Sequence, residues 1–202
     1  MATKKSIQDV FDANKYNLSV AVEKSSSWYK KQVAALAKDN ITPNKILQGD
    51  ITELTNAIRP GFLYMYKYDP KTKDSLPYYD VFPLVFPFKK TKTGFYGLNM
   101  HYLPYELRIK LLDELLVFKN NNRWDETTKI KYSWQMINGI SRFSAAQPCV
   151  KQYLNAHVKS AFRQISSDDW ATAMLLPVEK FVGASKQQVW SDSKRTIRKY
   201  NA

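Results

Sequence analysis

Residues 61–104 read GFLYMYKYDPKTKDSLPYYDVFPLVFPFKKTKTGFYGLNMHYLP, and this stretch decides the fold. Together with Pro60 it holds six of the nine prolines and three of the six glycines, so turns must interrupt it often. Between the turn residues, aromatic and β-branched side chains dominate, which favours short strands over helix. Strands are expected over Phe62–Tyr68, Val81–Lys89 and Phe95–Tyr102, with turns at Asp69–Lys73 and Thr91–Gly94. In the first strand, Phe62, Tyr64, Tyr66 and Tyr68 fall on one face and Leu63, Met65 and Lys67 on the other. Apolar residues on both faces suit a small, strongly bent antiparallel sheet, with an SH3-like barrel as the extreme case. Pro83 and Pro87 cannot donate to a ladder, so the second strand lies at an edge or carries a bulge.

At Pro104 the period changes from 2 to 3.6 residues. Leu107, Leu111, Leu112, Leu115 and Phe118 form an apolar stripe, Pro104 suits a helix start, and Asn120–Asn122 ends the helix. Asp125 or Thr127 opens a second helix through Ile140, with Ile130, Trp134 and Ile137 on its apolar side. Val150, Leu154, His157, Val158 and Ala161 recur at helical spacing and predict a third helix from Pro148. Trp170–Leu176 reads as a strand returning to the sheet, and Ser185 caps a last helix that ends in bases. The fold class is therefore α+β, a bent sheet packed with several amphipathic helices. Residues 1–58 read as an N-terminal helical arm with a helix over Val20–Lys38, and residues 59–202 as one core domain with a basic C-terminal helix. The expected core comprises Phe62, Tyr64, Phe82, Leu84, Phe86, Leu98, Leu111, Leu115, Trp134, Leu154 and Trp170.

The chain has 202 residues, 44% of them apolar, enough to bury a core and to argue against wholesale disorder. Its formal charge is +13, from 31 Lys and Arg against 18 Asp and Glu, which points to a polyanionic partner or an acidic neighbour. The excess is spread along the chain and concentrates at Lys194, Arg195, Arg198 and Lys199. One cysteine, Cys149, excludes an intramolecular disulfide. No stretch has the length and apolarity of a signal peptide core or a membrane span, so the expectation is assembly where the protein is made, without a membrane partner.

Residues for catalysis are few. With two histidines and one cysteine, Cys and His cannot assemble a zinc site, and Cys149 beside Val150 reads as a small apolar filler. His157 is expected as a hydrogen-bonded residue on the inner face of its helix. There is no GxxxxGK[ST] or GxGxxG phosphate cradle. The carboxylate pairs Asp113-Glu114, Asp125-Glu126 and Asp168-Asp169 fall on a wet helix face or at helix starts. Asp69, Asp74 and Asp80 with Lys67 or Lys71 have the residue types of a metal-dependent nuclease, but their turn-rich setting reads as a solvated loop. The expectation is no catalytic residue, no metal, no cofactor and no small-molecule substrate. Binding has more support. Lys67, Lys71, Lys73, Lys89, Lys90 and Lys92 stand beside Tyr68, Phe88 and Phe95 in two loops, the mixture that phosphates and exposed bases require. Loop lysines also guard a sheet edge against aggregation, and that reading stays open here.

The blocks LYMYKYDPKTKDSLPYYDVFPLVFPFKK and GFYGLNMHYLPYELRIKLLDEL, then RWDETTK at 123–129 and the segment Lys159–Phe181, resemble a group of small virion proteins of T-even-like tailed phages, especially those of marine cyanobacteria. The likeness runs from about Ser26 to Lys199 and is most specific over Leu76–Pro83 and Gly94–Pro104. Within that group the chain is similar to the DNA end protector family. The resemblance implies a non-enzymatic virion protein, assembled in the host cytoplasm, bound to double-stranded DNA ends near the portal and neck. The alternative is a structural subunit of the tail or baseplate that meets acidic virion proteins. The ten cations Lys67, Lys71, Lys73, Lys89, Lys90, Lys92, Lys194, Arg195, Arg198 and Lys199 are the candidate contacts for either partner.

Overall fold

The computed structural model of the protein describes residues 53–119 and 125–200. Its strands are β1 (Glu53–Thr55), β2 (Leu63–Met65), β3 (Tyr79–Asp80), β4 (Leu84–Lys90), β5 (Gly94–Asn99), β6 (Val150–Leu154), β7 (Phe162–Ile165) and β8 (Phe181–Val182). The helices are α1 (Tyr105–Lys119), α2 (Glu126–Ile140), α3 (Trp170–Leu175) and α4 (Lys186–Tyr200). Six strands form one antiparallel sheet in the order β1-β7-β2-β4-β5-β6, and β3 pairs with β8 separately. The class is α+β, as expected. The expected N-terminal arm lies outside the described residues except at its end, where β1 joins the sheet edge against β7.

Alternation along the strands sends side chains into two separate clusters. Leu63, Met65, Leu84, Phe86, Phe88 and Leu98 join the larger core beneath the helices. Tyr64, Tyr66, Tyr68, Val85, Phe95, Tyr153 and Phe162 form an aromatic cluster on the opposite face. The Tyr66 ring lies 5.0 Å from that of Phe162 on β7 and 5.6 Å from that of Tyr153 on β6. Those strands are four places apart in the sheet, about 19 Å if it were flat at 4.7–4.9 Å per strand. One tyrosine can touch both only because the sheet curls around it. The curl stops short of the SH3-like barrel, since among the described residues β1 and β6 do not pair. Pro87 sits inside a central strand, and the register shifts between Pro87 and Lys89 to accommodate it, which is the expected bulge.

The helices close the larger core. Leu111, Leu112 and Leu115 of α1 are buried, while the Phe118 side chain lies outside the described residues. Asp125 caps α2, its carboxylate accepting from Thr128 N at 2.7 Å, and Trp134 donates its indole N–H to Phe88 O at 2.9 Å. On α4, Trp190 donates to His101 O and Ser193 to Tyr102 O, which fixes the helix against the 3-10 turn Met100–Tyr102.

Two expected elements are different. The third helix from Pro148 is absent: Val150–Leu154 is β6, paired with β5 from Leu98↔Val150 to Gly94↔Leu154, and a 3-10 turn, Asn155–His157, follows. The free edge of β5 supplied a ladder that outweighed a fortuitous helical spacing. Trp170–Leu175 is helix, not strand; the strand that returns to the sheet is β7, just before it. Trp170 then packs edge-on to Phe86, with ring centroids 4.9 Å apart. Of the expected core, Phe62, Trp134 and Leu154 are only half-buried, and the other eight are buried.

Candidate nucleic-acid interface

The curl and the β6-to-β7 crossing set the positions of the two lysine loops. After β6 the chain crosses the mouth of the bent sheet as Asn155–Ala161 and makes backbone bonds to both loops on the way. Asn155 N donates to Thr93 O at 3.0 Å, Asp69 N donates to His157 O at 3.0 Å, and Lys159 N donates to Lys67 O at 2.8 Å. Tyr68 bridges to Val158, and the His157 ring bonds Asp69 O through Nδ1 at 2.9 Å. His157 is thus half-buried at a crossing segment and pins a loop, where the sequence had placed it on a helix face. The loop after β2 that carries Lys67, Lys71 and Lys73, and the β4–β5 turn that carries Lys92 just beyond Lys89 and Lys90 at the end of β4, are thereby held by one short segment. All six side chains are exposed, and Lys159 stands among them. A cleft of about 410 Å³ opens beside this rim, lined by Lys90, Asn155 and Ser160 among others.

Charge at the rim is only partly neutralised. Lys73 pairs with Asp69 at 3.2 Å, and the Asp69 carboxylate raises the Lys73 pKa above its ordinary value. The C-terminal bases form a second group. Lys194, Arg195, Arg198 and Lys199 all lie on the exposed side of α4, opposite the buried Val189 and Ser193. Arg195 pairs with Asp192 at 2.6 Å. The loop between β2 and β3 runs toward the second group: burial and then the Asp192 carboxylate on α4 raise the pKa of Tyr78 at its far end.

The titratable residues that sequence reading weighed for chemistry are built into the fold. Asp80 is buried, with His101 Nδ1 at 2.8 Å from Oδ2, Asn99 Nδ2 donating to the same oxygen at 3.0 Å, and Phe82 N donating to Oδ1. It is not the solvated loop carboxylate expected from its turn-rich surroundings, because β3 pairs with β8 and buries it. Asp69 faces Lys73, so Asp69, Asp74 and Asp80 do not converge. Among the described residues no three of His, Cys, Asp and Glu come together as a metal site. The Asp113, Glu114, Glu126 and Asp168 side chains lie outside the described residues. Cys149 is fully buried, donates to Ala146 O, and burial pushes its thiol up to about 12. A thiol held protonated in this way is a poor nucleophile.

A further buried ion pair escaped the sequence reading. Arg108 projects from the apolar side of α1 with no solvent exposure and lies 2.6 Å from Glu179, also fully buried. Its guanidinium donates to Leu103 O, Met174 O and His101 O and lies over the Tyr105 ring at 4.6 Å. A basic residue inside a leucine stripe was the available signal. Lys151 was missed as well; on β6 it lies 4.1 Å from the centroid of the Tyr102 ring.

The architecture is that of a basic α+β protein with one group of exposed cations at a rim of the sheet and another along one side of a terminal helix, while others, such as Lys131 and Arg142, lie elsewhere. The chain belongs to the family of the phage T4 terminal DNA protecting protein, which it matches over residues 4–199. The resemblance carried by the LPYYD and GFYGLNMHYLP blocks is thereby established, and the protein is a phage protein of a DNA-protecting family. No curated protein and no solved structure matches the chain. No helix among the described residues is long and apolar enough to cross a membrane.

Proposed function

We propose that this protein is a non-enzymatic component of the phage particle that binds the ends of the packaged double-stranded DNA, near the portal and neck, and shields them from nucleases. The family match over nearly the whole chain carries this reading. The held-together lysine rim and the basic side of α4 support it, because phosphate contacts from Lys and Arg supply most of a protein's affinity for duplex DNA. Protection of an end needs persistent occupancy and no bond making, so buried titratable groups that serve the fold fit the role. Other virion proteins of the neck complete the proposed surroundings, with assembly in the host cytoplasm.

An exonuclease assay is the test. Linear duplex preincubated with the protein should resist a processive double-strand exonuclease, and protection should disappear as salt rises. Unprotected DNA at saturating protein and low salt, together with tight association with a purified tail or baseplate protein, would replace this reading with the structural one.

A further inference from the structure

A second cleft, about 420 Å³, opens between the loop Tyr68–Asp80 and the edge strand β6. Its lining includes Tyr68, Tyr78 and Tyr102 with Lys71 and Lys151, and also Asp80, whose carboxylate is taken up by His101, Asn99 and Phe82 N. Lys151 occupies the same side of β6 as the buried Tyr153, and its ammonium rests on the Tyr102 ring. No carboxylate pairs with it among the described residues. Burial holds its pKa below the ordinary lysine value. Withdrawing a cation from water without an anion is costly, and a π face returns only part of that cost. The Tyr102 ring gives this lysine a partner but no counter-charge, and an incoming anion would complete its surroundings. The cleft also lies between the two basic groups, with Lys71 on the rim side and Tyr78, near enough to Asp192 and Arg195 to feel their charges, on the other.

We propose that this cleft receives the terminal nucleotide of a DNA strand, with its phosphate at Lys151 and Lys71 and its base against the tyrosine rings. The inference rests on the end-binding reading above and deepens it. Cations and aromatic faces side by side are the two elements that hold an exposed nucleotide. The volume falls within the roughly 300–1,000 Å³ of small-ligand sites. A site of this size selects ends on energetic grounds. An internal nucleotide must leave two stacking partners and its base pair to enter a pocket, whereas a terminal one gives up a single stack and a pair that already frays. The rim and α4 can grip any duplex through its phosphates; the cleft supplies the preference for an end.

The test compares two short duplexes of one sequence by fluorescence anisotropy, one open with terminal phosphates and one closed at both ends by hairpin loops. Wild-type protein should bind the open duplex more tightly. Lys151→Met, which keeps most of the unbranched stem and loses the charge, should weaken open-duplex binding about tenfold, the factor that 1.4 kcal/mol represents. Its binding to the closed duplex should be unchanged, and Lys151→Arg should restore the preference. Free deoxynucleoside monophosphate should raise the melting temperature of wild type and leave that of Lys151→Met unmoved. If wild type does not distinguish the two duplexes, the end-binding reading itself fails. If wild type distinguishes them and Lys151→Met still does so, or loses affinity for both equally, the cleft is not the end site and the broader reading stands. Should Lys151→Met not fold, the mononucleotide decides on wild type alone: a melting temperature that does not move overturns the assignment.

Discussion

Replacing Arg108 by methionine probes the joint that holds α1, α3 and α4 to the sheet. In wild type the guanidinium meets Glu179 at 2.6 Å and donates to three buried carbonyls, those of Leu103, Met174 and His101. Methionine fills similar space and removes the charge and every donor. Among its direct partners Glu179 would then keep Lys186, at 3.7 Å, and a long hydrogen bond from the Tyr105 hydroxyl at 3.4 Å. Breaking a buried pair from one side costs about 3–5 kcal/mol, and the orphaned carbonyls place this case at the upper end. For a chain of this size each kcal/mol moves the melting midpoint by about 2–4 °C, so a fall of about 6–20 °C is expected. Urea denaturation followed by tryptophan fluorescence measures it. The double variant Arg108→Met/Glu179→Met removes both charges and should recover much of the loss. A single variant within about 1 kcal/mol of wild type would refute the reasoning, being no more than an exposed pair is worth.

The same pair sets an acid limit. Burial by itself would raise the Glu179 carboxyl, but Arg108, His101 and Lys186 outweigh it and hold the group below the usual glutamate value of 4.5. A depressed pKa in the folded state contributes stability that is complete above the unfolded value and is lost as pH falls through the folded one. Stability of the wild type should therefore fall below about pH 4.5, and Glu179→Gln should flatten that limb.

Three further outcomes rest on particular residues. Leu111→Ala, on the buried side of α1, should cost about 2–5 kcal/mol in urea denaturation, and an unchanged midpoint would mean that this face meets a partner instead of the core. Gly94→Ala would place a Cβ 1.8 Å from Tyr153 O, so the β5–β6 ladder must shift; accelerated amide exchange at Tyr153 and Leu154 is expected, and native protection there would contradict it. Neutralising Lys194, Arg195, Arg198 and Lys199 together should flatten the salt dependence of DNA binding, by roughly 0.9 in log–log slope for each phosphate that these bases neutralise in the wild type, whereas an unchanged slope would remove α4 from the interface.

The local part of this structure was legible in the sequence. Pro104 marks the change of period and α1 starts beside it; Asp125 caps α2 as its residue type predicts; Pro87 announces the bulge in β4. What escaped depends on partners far away in the chain. Val150, Leu154, His157 and Val158 satisfy a helical spacing by accident, and only the open edge of β5, far earlier in the chain, makes Val150–Leu154 a strand. Glu53–Thr55 and Phe162–Ile165 are short and partly polar, and nothing local says that they pair. The lysines of the rim were visible as residues. Their assembly was not, since it depends on Asn155–Lys159 crossing the mouth of the curled sheet. Lys151 was hidden for the same reason, because the ring beside it belongs to Tyr102.

Competition by DNA ends tests the central claim most directly. Labelled linear duplex bound to the protein at moderate salt is challenged with unlabelled DNA of one sequence, supplied as long linear molecules, as short linear fragments, or as a relaxed closed circle. If the protein occupies ends, displacement follows the number of ends at equal mass: the fragments compete strongly, the long molecules weakly and the circle least. Equal displacement by all three at equal mass would show that the protein binds duplex DNA along its length, and would contradict the account.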